Sequence, residues 1–175
     1  MILLGALGGF CLSGTLAQAP QEVLPYWQDI QVVQVGKELP RSSFMTYPDQ
    51  ASARSGRYEQ SPYYQLLNGT WRFRFVEAYK ELPADCVAPE ADLSGWGEIQ
   101  VPGNWEMQGH GTAIYTNHGY EFKPRNPMPP QLPEANPVGV YRREIEVPAA
   151  WDGRDIYLHI AGAKSGLYVY LNGQE

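Results

Sequence analysis

Apolar and polar positions alternate most clearly just after the turn signal Asn68-Gly69. There, aromatic residues alternate with arginines in the order Trp71, Arg72, Phe73, Arg74 and Phe75. A period of two is typical of a strand that has one face in a core. A turn-rich stretch follows as far as Gly97, and the sequence GEIQVPGNW then predicts a second short strand that ends at Pro102.

The last part of the chain contains three more alternating segments. In VGVYRREIEV, residues 138–147, four side chains share one face: Tyr141, Arg143, Ile145 and Val147. Residues 154–162 and 165–175 alternate in the same way and predict two further strands. The proline-rich segment 123–137 predicts an extended loop, because proline fixes φ and donates no hydrogen bond to a ladder.

No segment has the pattern of a helix of useful length, so the sequence predicts an all-β protein, an antiparallel β-sandwich of the jelly-roll kind. The best hairpin signal is Asn172-Gly173, after which only Gln174 and Glu175 follow. A turn of this type expects a returning strand, and without one the preceding strand leaves an exposed edge. We therefore expect an incomplete sandwich that lacks its last strands and forms the first part of a longer protein.

The chain divides into three parts. Residues 1–19 are apolar and end in Ala17-Gln18-Ala19, a pattern typical of a cleaved secretory signal peptide. Residues 20–61 show no sustained period and predict an extended arm, and residues 62–175 form the sandwich. Cleavage after residue 19 leaves Cys86 as the only cysteine, which excludes an internal disulfide and a cysteine-based metal cluster.

Composition narrows the range of partners. A net charge of -6 argues against nucleic acid and against an anionic membrane surface, because both attract basic patches. The chain also contains 12 Tyr and 5 Trp, whose rings stack on the apolar faces of sugars while their polar edges form hydrogen bonds. Aromatic residues are equally favoured on strand faces, and composition alone favours that second explanation.

No catalytic set is evident from the residues themselves. Glu144 and Glu146 share a strand face, but that face is expected to be exposed to solvent, which argues against their being the paired carboxylates of a glycosidase. His110, His118 and His159 lack the spacing of metal ligands. No nucleophile elbow is present, and no glycine-rich segment precedes a helix as a phosphate loop does.

The irregular loop Asn104–Tyr120 is the best candidate for a functional site. Its amides, imidazoles and aromatic rings suit a neutral polyhydroxylated ligand, which is bound by neutral hydrogen bonds and stacking. The alternative is a purely structural loop, anchored to the sandwich by Trp105 and Tyr115. The residues alone leave both interpretations open.

Three segments carry a family resemblance: LLNGTWRFRF, VPGNWEMQGHGTAIYTNHGYEF and the stretch from NPVGVYRREIEV to LYVYLNG. In this order and spacing they resemble the N-terminal region of glycoside hydrolase family 2 β-galactosidases, whose first domain is a galactose-binding-domain-like jelly roll. The arm YWQDIQVVQVGKELPRSSFMTYP is similar to the leader of those enzymes. The run from VPGNW into IYTN resembles the β-galactosidase branch in particular.

The resemblance implies a retaining β-galactosidase in which the jelly roll precedes an immunoglobulin-like sandwich and a catalytic TIM barrel. Its two catalytic glutamates and its magnesium ligands are expected beyond Glu175, so the chain alone should be inactive. Magnesium and sodium are expected only in the full-length enzyme. By the same resemblance, Asn117 reaches into the barrel and binds galactose hydroxyls, while Trp105, Tyr115 and His118 hold the loop in place.

The resemblance also implies partners and location. We expect a β-galactoside substrate, contacts with the protein's own downstream domains, a homo-oligomer formed through the arm, and a periplasmic or secreted bacterial enzyme. Neither nucleic acid nor, after signal cleavage, a membrane is an expected partner. Two alternatives stay open: a freestanding carbohydrate-binding module, and another family 2 glycosidase such as a β-glucuronidase.

Overall fold

The computed structural model describes residues 25–114, 132–164 and 166–175. Within them, β1 (Gly69–Val76), β2 (Gly97–Val101) and β3 (Val138–Arg142) form an antiparallel sheet in the order β2-β1-β3. Helical structure in these ranges is limited to α1 (Gln50–Ser55) and short 3-10 turns, at Tyr26–Gln28, Tyr58–Gln60, Tyr79–Glu81, Glu106–Gln108 and Ala149–Trp151. Antiparallel strands with few helices confirm the predicted all-β class. The predicted signal peptide lies outside the described residues.

The alternation of β1 gives the sheet two different faces. Phe73 lies opposite Gly97 on β2 and Tyr141 on β3, so its ring shares a face with Trp71 and Phe75. We call this the aromatic face. At its centre Phe73 is only 1% exposed, and Ile99 of β2 is 2% exposed. The aromatic face is therefore the main core of the described part of the chain.

The opposite face is covered by residues 77–96, the turn-rich stretch between β1 and β2. Arg72 donates hydrogen bonds to the carbonyls of Leu93 and Trp96 at 2.9 and 2.8 Å. Arg142 donates to the carbonyls of Ala88 and Pro89. The two guanidinium groups thus satisfy main-chain carbonyl groups of an irregular segment. In a regular sheet, the N–H groups of a neighbouring strand do this.

Residues 77–96 also contribute buried apolar side chains, among them Cys86 and Trp96. Burial, and to a lesser extent the neighbouring Asp85 carboxylate, raises the pKa of the Cys86 thiol above its usual value. A raised pKa leaves little reactive thiolate at neutral pH. Cys86 is therefore a packing residue.

The arm touches the rest of the chain through a few side chains. Trp27 contacts Tyr79 at a ring distance of 4.3 Å and Tyr168 at 5.9 Å. Helix α1 is capped by Asp49, whose carboxylate accepts a hydrogen bond from the Ser52 main-chain N–H at 2.9 Å. None of the described helices is long and apolar enough to cross a membrane. The boundary between arm and sandwich at residue 61 stays a prediction.

The predicted strands 154–162 and 165–175 do not form in the described residues, and β3 ends at Arg142 instead of continuing to Val147. Alternation shows which side chains suit a pleated face, but a strand also needs a neighbour for its main-chain hydrogen bonds. In these segments Ile156, Leu158 and Leu167 are 52%, 45% and 53% exposed. The predictions at these segments were wrong because local pattern does not report pairing.

The turn signal Asn172-Gly173 is confirmed. Both residues have positive φ, 50° and 80°, as a type I′ turn requires. Leu171 and Gln174 pair across the turn through main-chain hydrogen bonds of 2.8 and 3.0 Å.

Candidate functional site

The candidate loop leaves the sheet at the end of β2 and is fastened there by one side chain. The Gln108 amide accepts from the Gln100 main-chain N–H at 2.8 Å and donates to the Gln100 carbonyl at 3.0 Å. These two bonds continue the ladder at an edge position of β2, with a side chain in place of a strand. Gly103 leaves space for these bonds, because a Cβ added at this position would lie only 2.6 Å from Gln108 Nε2.

A tight turn then reverses the loop. The 3-10 turn Glu106–Gln108 ends at Gly109, whose φ of 91° favours glycine. The main-chain N–H of His110 donates to the carbonyl of Trp105 at 3.1 Å. This closure brings the side chains of Trp105 and His110 to the same side of the loop.

Both side chains pack on the aromatic face. Trp105 meets Phe75 edge-on at a ring distance of 5.5 Å, and His110 meets Phe73 edge-on at 4.7 Å. Next to His110, the Gly111 backbone lies close to the Phe75 ring, because a Cβ added at Gly111 would be only 3.0 Å from it. The first part of the loop is thus a lid on the core.

A notch in β3 receives the Trp105 indole. A Cβ added at Gly139 lies 2.6 Å from both Cε3 and Cζ3 of Trp105 and 2.8 Å from Cε2 of Phe73. Such distances are well inside van der Waals contact, so no larger residue fits without movement of the indole or the sheet. An isolated glycine within a strand often marks such a close approach.

We expect Gly139→Ala to lower the free energy of unfolding by about 1–3 kcal/mol, because the methyl group displaces the Trp105 ring. Chemical denaturation followed by far-UV circular dichroism measures the loss. Gly162→Ala is the matched control, since a Cβ there meets nothing within 4 Å. Equal stability of the two variants contradicts the described seating of Trp105.

The loop's outer side chains are exposed. Met107 is 80% and Ile114 is 72% exposed, although both are large and apolar. The described loop is therefore packed at its base and apolar toward solvent, an arrangement typical of a segment that contacts another surface.

The structure describes only some of the site residues that the sequence predicted. Trp105 is half-buried at the base of the loop, and its predicted role as a support stays a prediction. Tyr115, Asn117 and His118 lie outside the described residues, and their roles stay predictions too. His110 packs on Phe73, as described above, rather than standing free in the loop.

The remaining candidates are dispersed. Glu144, Glu146 and His159 are exposed. Within residues 25–114, 132–164 and 166–175, no three His, Cys, Asp or Glu side chains are grouped as a metal ion requires.

The sequence reasoning missed two features of the site. The two hydrogen bonds between the Gln108 side chain and the Gln100 main chain, here called the Gln108 clamp, have no sequence signal. A glutamine that bonds to the main chain eight residues earlier looks like any polar loop residue. The Gly139 notch has one: a glycine between Val138 and Val140 in an otherwise regular strand.

Comparison with known proteins decides the family. The sequence model of the glycosyl hydrolases family 2 sugar binding domain matches residues 64–175. This chain belongs to glycosyl hydrolase family 2. The match confirms the family resemblance that the sequence motifs carry, and the antiparallel architecture of the sheet agrees with the sugar-binding β-sandwich of that family.

Relatives of this family 2 chain include three bacterial β-galactosidases. Identity is 38% over 115 residues with that of Psychromonas ingrahamii, covering 66% of this chain and 11% of the relative. It is 31% over 159 residues with that of Priestia megaterium, covering 89% and 15%. With that of Actinobacillus pleuropneumoniae it is 34% over 153 residues, covering 87% and 14%. The chain thus spans between 11% and 15% of the length of these relatives.

Proposed function

We propose that this family 2 chain is the N-terminal, non-catalytic sugar-binding domain of an exported β-galactosidase that hydrolyses terminal β-D-galactosides. The observation that carries the proposal is its similarity to β-galactosidases over up to 89% of its length. In this proposal the catalytic glutamates belong to a TIM barrel outside the chain, and the loop Asn104–Tyr120 completes the barrel's active site.

The geometry of the loop supports this role. Its base is fixed by the Gln108 clamp and by Trp105 on the aromatic face, while Met107 and Ile114 are exposed. A rigid base lets a protruding segment position a binding group with little loss of conformational entropy on binding. Asn117 is the group that we assign to galactose, because one amide both donates to and accepts from neighbouring hydroxyls.

The other elements of the proposal concern the whole enzyme. Magnesium and sodium bind in the full-length enzyme, to residues beyond Glu175; the enzyme is periplasmic or secreted; and the arm contributes to subunit contacts. The exposed apolar side chains of the arm support the last point, since Ile30, Val33 and Leu39 are 79%, 89% and 75% exposed.

A substrate panel tests the proposed activity. The longer protein that carries this domain is expected to hydrolyse nitrophenyl β-D-galactoside, whereas the purified 175-residue chain is expected to be inactive. Faster hydrolysis of the β-D-glucuronide favours the other family 2 specificity. Galactoside binding without hydrolysis of either substrate favours a carbohydrate-binding module.

A further inference from the structure

A cleft of about 290 Å³ lies where three distant parts of the chain meet. The arm contributes Trp27 and Gln28, the stretch after β1 contributes Tyr79 and Lys80, and the segment before β3 contributes residues 132–136. Convergence of separate segments on a concave surface with aromatic and polar groups is the usual form of a small-molecule site.

One wall of the cleft is an aromatic corner. The rings of Trp27 and Tyr79 lie 4.3 Å apart and are tilted by 58°. Tyr168 supports the indole from another direction, with a ring distance of 5.9 Å and an edge-on geometry. Held by two neighbours, Trp27 loses little freedom when a ligand packs against it.

The polar lining is electrically balanced. Its two charged residues, Lys80 and Glu134, form an ion pair with each other. The side-chain amides of Gln28 and Asn136 add neutral donors and acceptors to the lining. A balanced lining offers no unpaired charge to an anionic or cationic ligand, and it suits one that carries several neutral hydroxyls.

We propose that this cleft binds a single neutral pyranose ring, either a free monosaccharide or one unit of a longer saccharide. Aromatic rings pack against the C–H face of a pyranose, and the side-chain amides match its hydroxyls. The volume is at the lower end of the range for ligand pockets, which favours one ring over an oligosaccharide. This site would let the domain hold a carbohydrate without any other domain.

The test uses the 175-residue chain and methyl β-D-galactopyranoside as the probe. We expect saturable shifts of the Trp27 indole N–H in nitrogen-15 NMR spectra, with a dissociation constant on the order of millimolar, as suits a small exposed site. Glycerol at the same concentrations is the control for non-specific polyol effects. Absence of saturation, or equal shifts with glycerol, would overturn the proposal.

Two variants locate the site. Tyr79→Ala should weaken binding about five- to tenfold, because it removes one side of the aromatic corner. Tyr58→Ala is the matched control, because Tyr58 and Tyr79 are both 43% exposed and Tyr58 packs on Tyr64 away from the lining. Asn136→Ala provides a second reduction in affinity if Tyr79→Ala fails to fold.

Unchanged affinity in both Tyr79→Ala and Asn136→Ala contradicts the assignment of the cleft. Because the isolated chain suffices for this experiment, its failure is distinguishable from failure of the proposed galactosidase function, which is tested by hydrolysis in the longer protein.

Discussion

Phe73→Ala should lower the free energy of unfolding by about 3–5 kcal/mol, the largest loss that we expect from one core substitution. Phe73 is 1% exposed and its ring contacts those of His110 and Tyr141 at 4.7 and 4.8 Å. Removing it leaves a cavity beneath the candidate loop and takes away the surface on which the loop rests. Urea unfolding followed by circular dichroism measures the change.

Phe44→Ala is the matched control, because it removes the same side chain from a position that is 66% exposed. Exposed substitutions usually change stability by less than about 0.5 kcal/mol. If the two variants unfold at the same urea concentration, the aromatic face is not the core of this chain.

Asn117→Ala in the full-length enzyme should lower kcat/KM for a β-galactoside roughly 5- to 150-fold. This corresponds to a loss of about 1–3 kcal/mol of transition-state stabilisation. In the proposed contact, the substitution removes the amide that pairs with a galactose hydroxyl, so that hydroxyl loses its partner. Steady-state kinetics on nitrophenyl β-D-galactoside measures the change.

Asn104→Ala provides the control, since Asn104 is an exposed amide in the same loop, just before Trp105. It should leave kcat/KM within about twofold, because the proposed function assigns galactose to Asn117 alone and exposed substitutions usually have small effects. Parallel thermal denaturation separates binding from folding: a loss of activity in Asn117→Ala with unchanged stability supports the proposed contact. Normal kinetics in that variant removes Asn117 from the site.

Local sequence signals predicted the parts of the fold that depend on local structure. Alternation located β1, the segment GEIQVPGNW located β2, and the dipeptide Asn172-Gly173 located a turn that needs positive φ at both residues. Alternation also predicted strands at 154–162 and 165–175, which do not form in the described residues. Strand formation there depends on a hydrogen-bonding neighbour, and the neighbour is not encoded in the segment itself.

The candidate site was predictable to a similar extent. The unusual composition of the loop drew attention to Trp105, but nothing near Trp105 shows that Gly139 on β3 forms the notch for its indole. The aromatic corner of the cleft is equally non-local, because Trp27 belongs to the arm and Tyr79 to the stretch after β1. Contacts between distant segments follow from the fold and not from spacing along the chain.

The central claim, that this chain is a domain of a β-galactosidase, is tested most directly by capturing the native protein from its source with an antibody raised against this chain. The captured protein is then sized by immunoblot and assayed for hydrolysis of a β-galactoside. We predict a species much larger than the 19.6 kDa of this chain, with β-galactosidase activity in the captured fraction. A species of 19.6 kDa, or the smaller one left by signal cleavage, without hydrolase activity would contradict the claim.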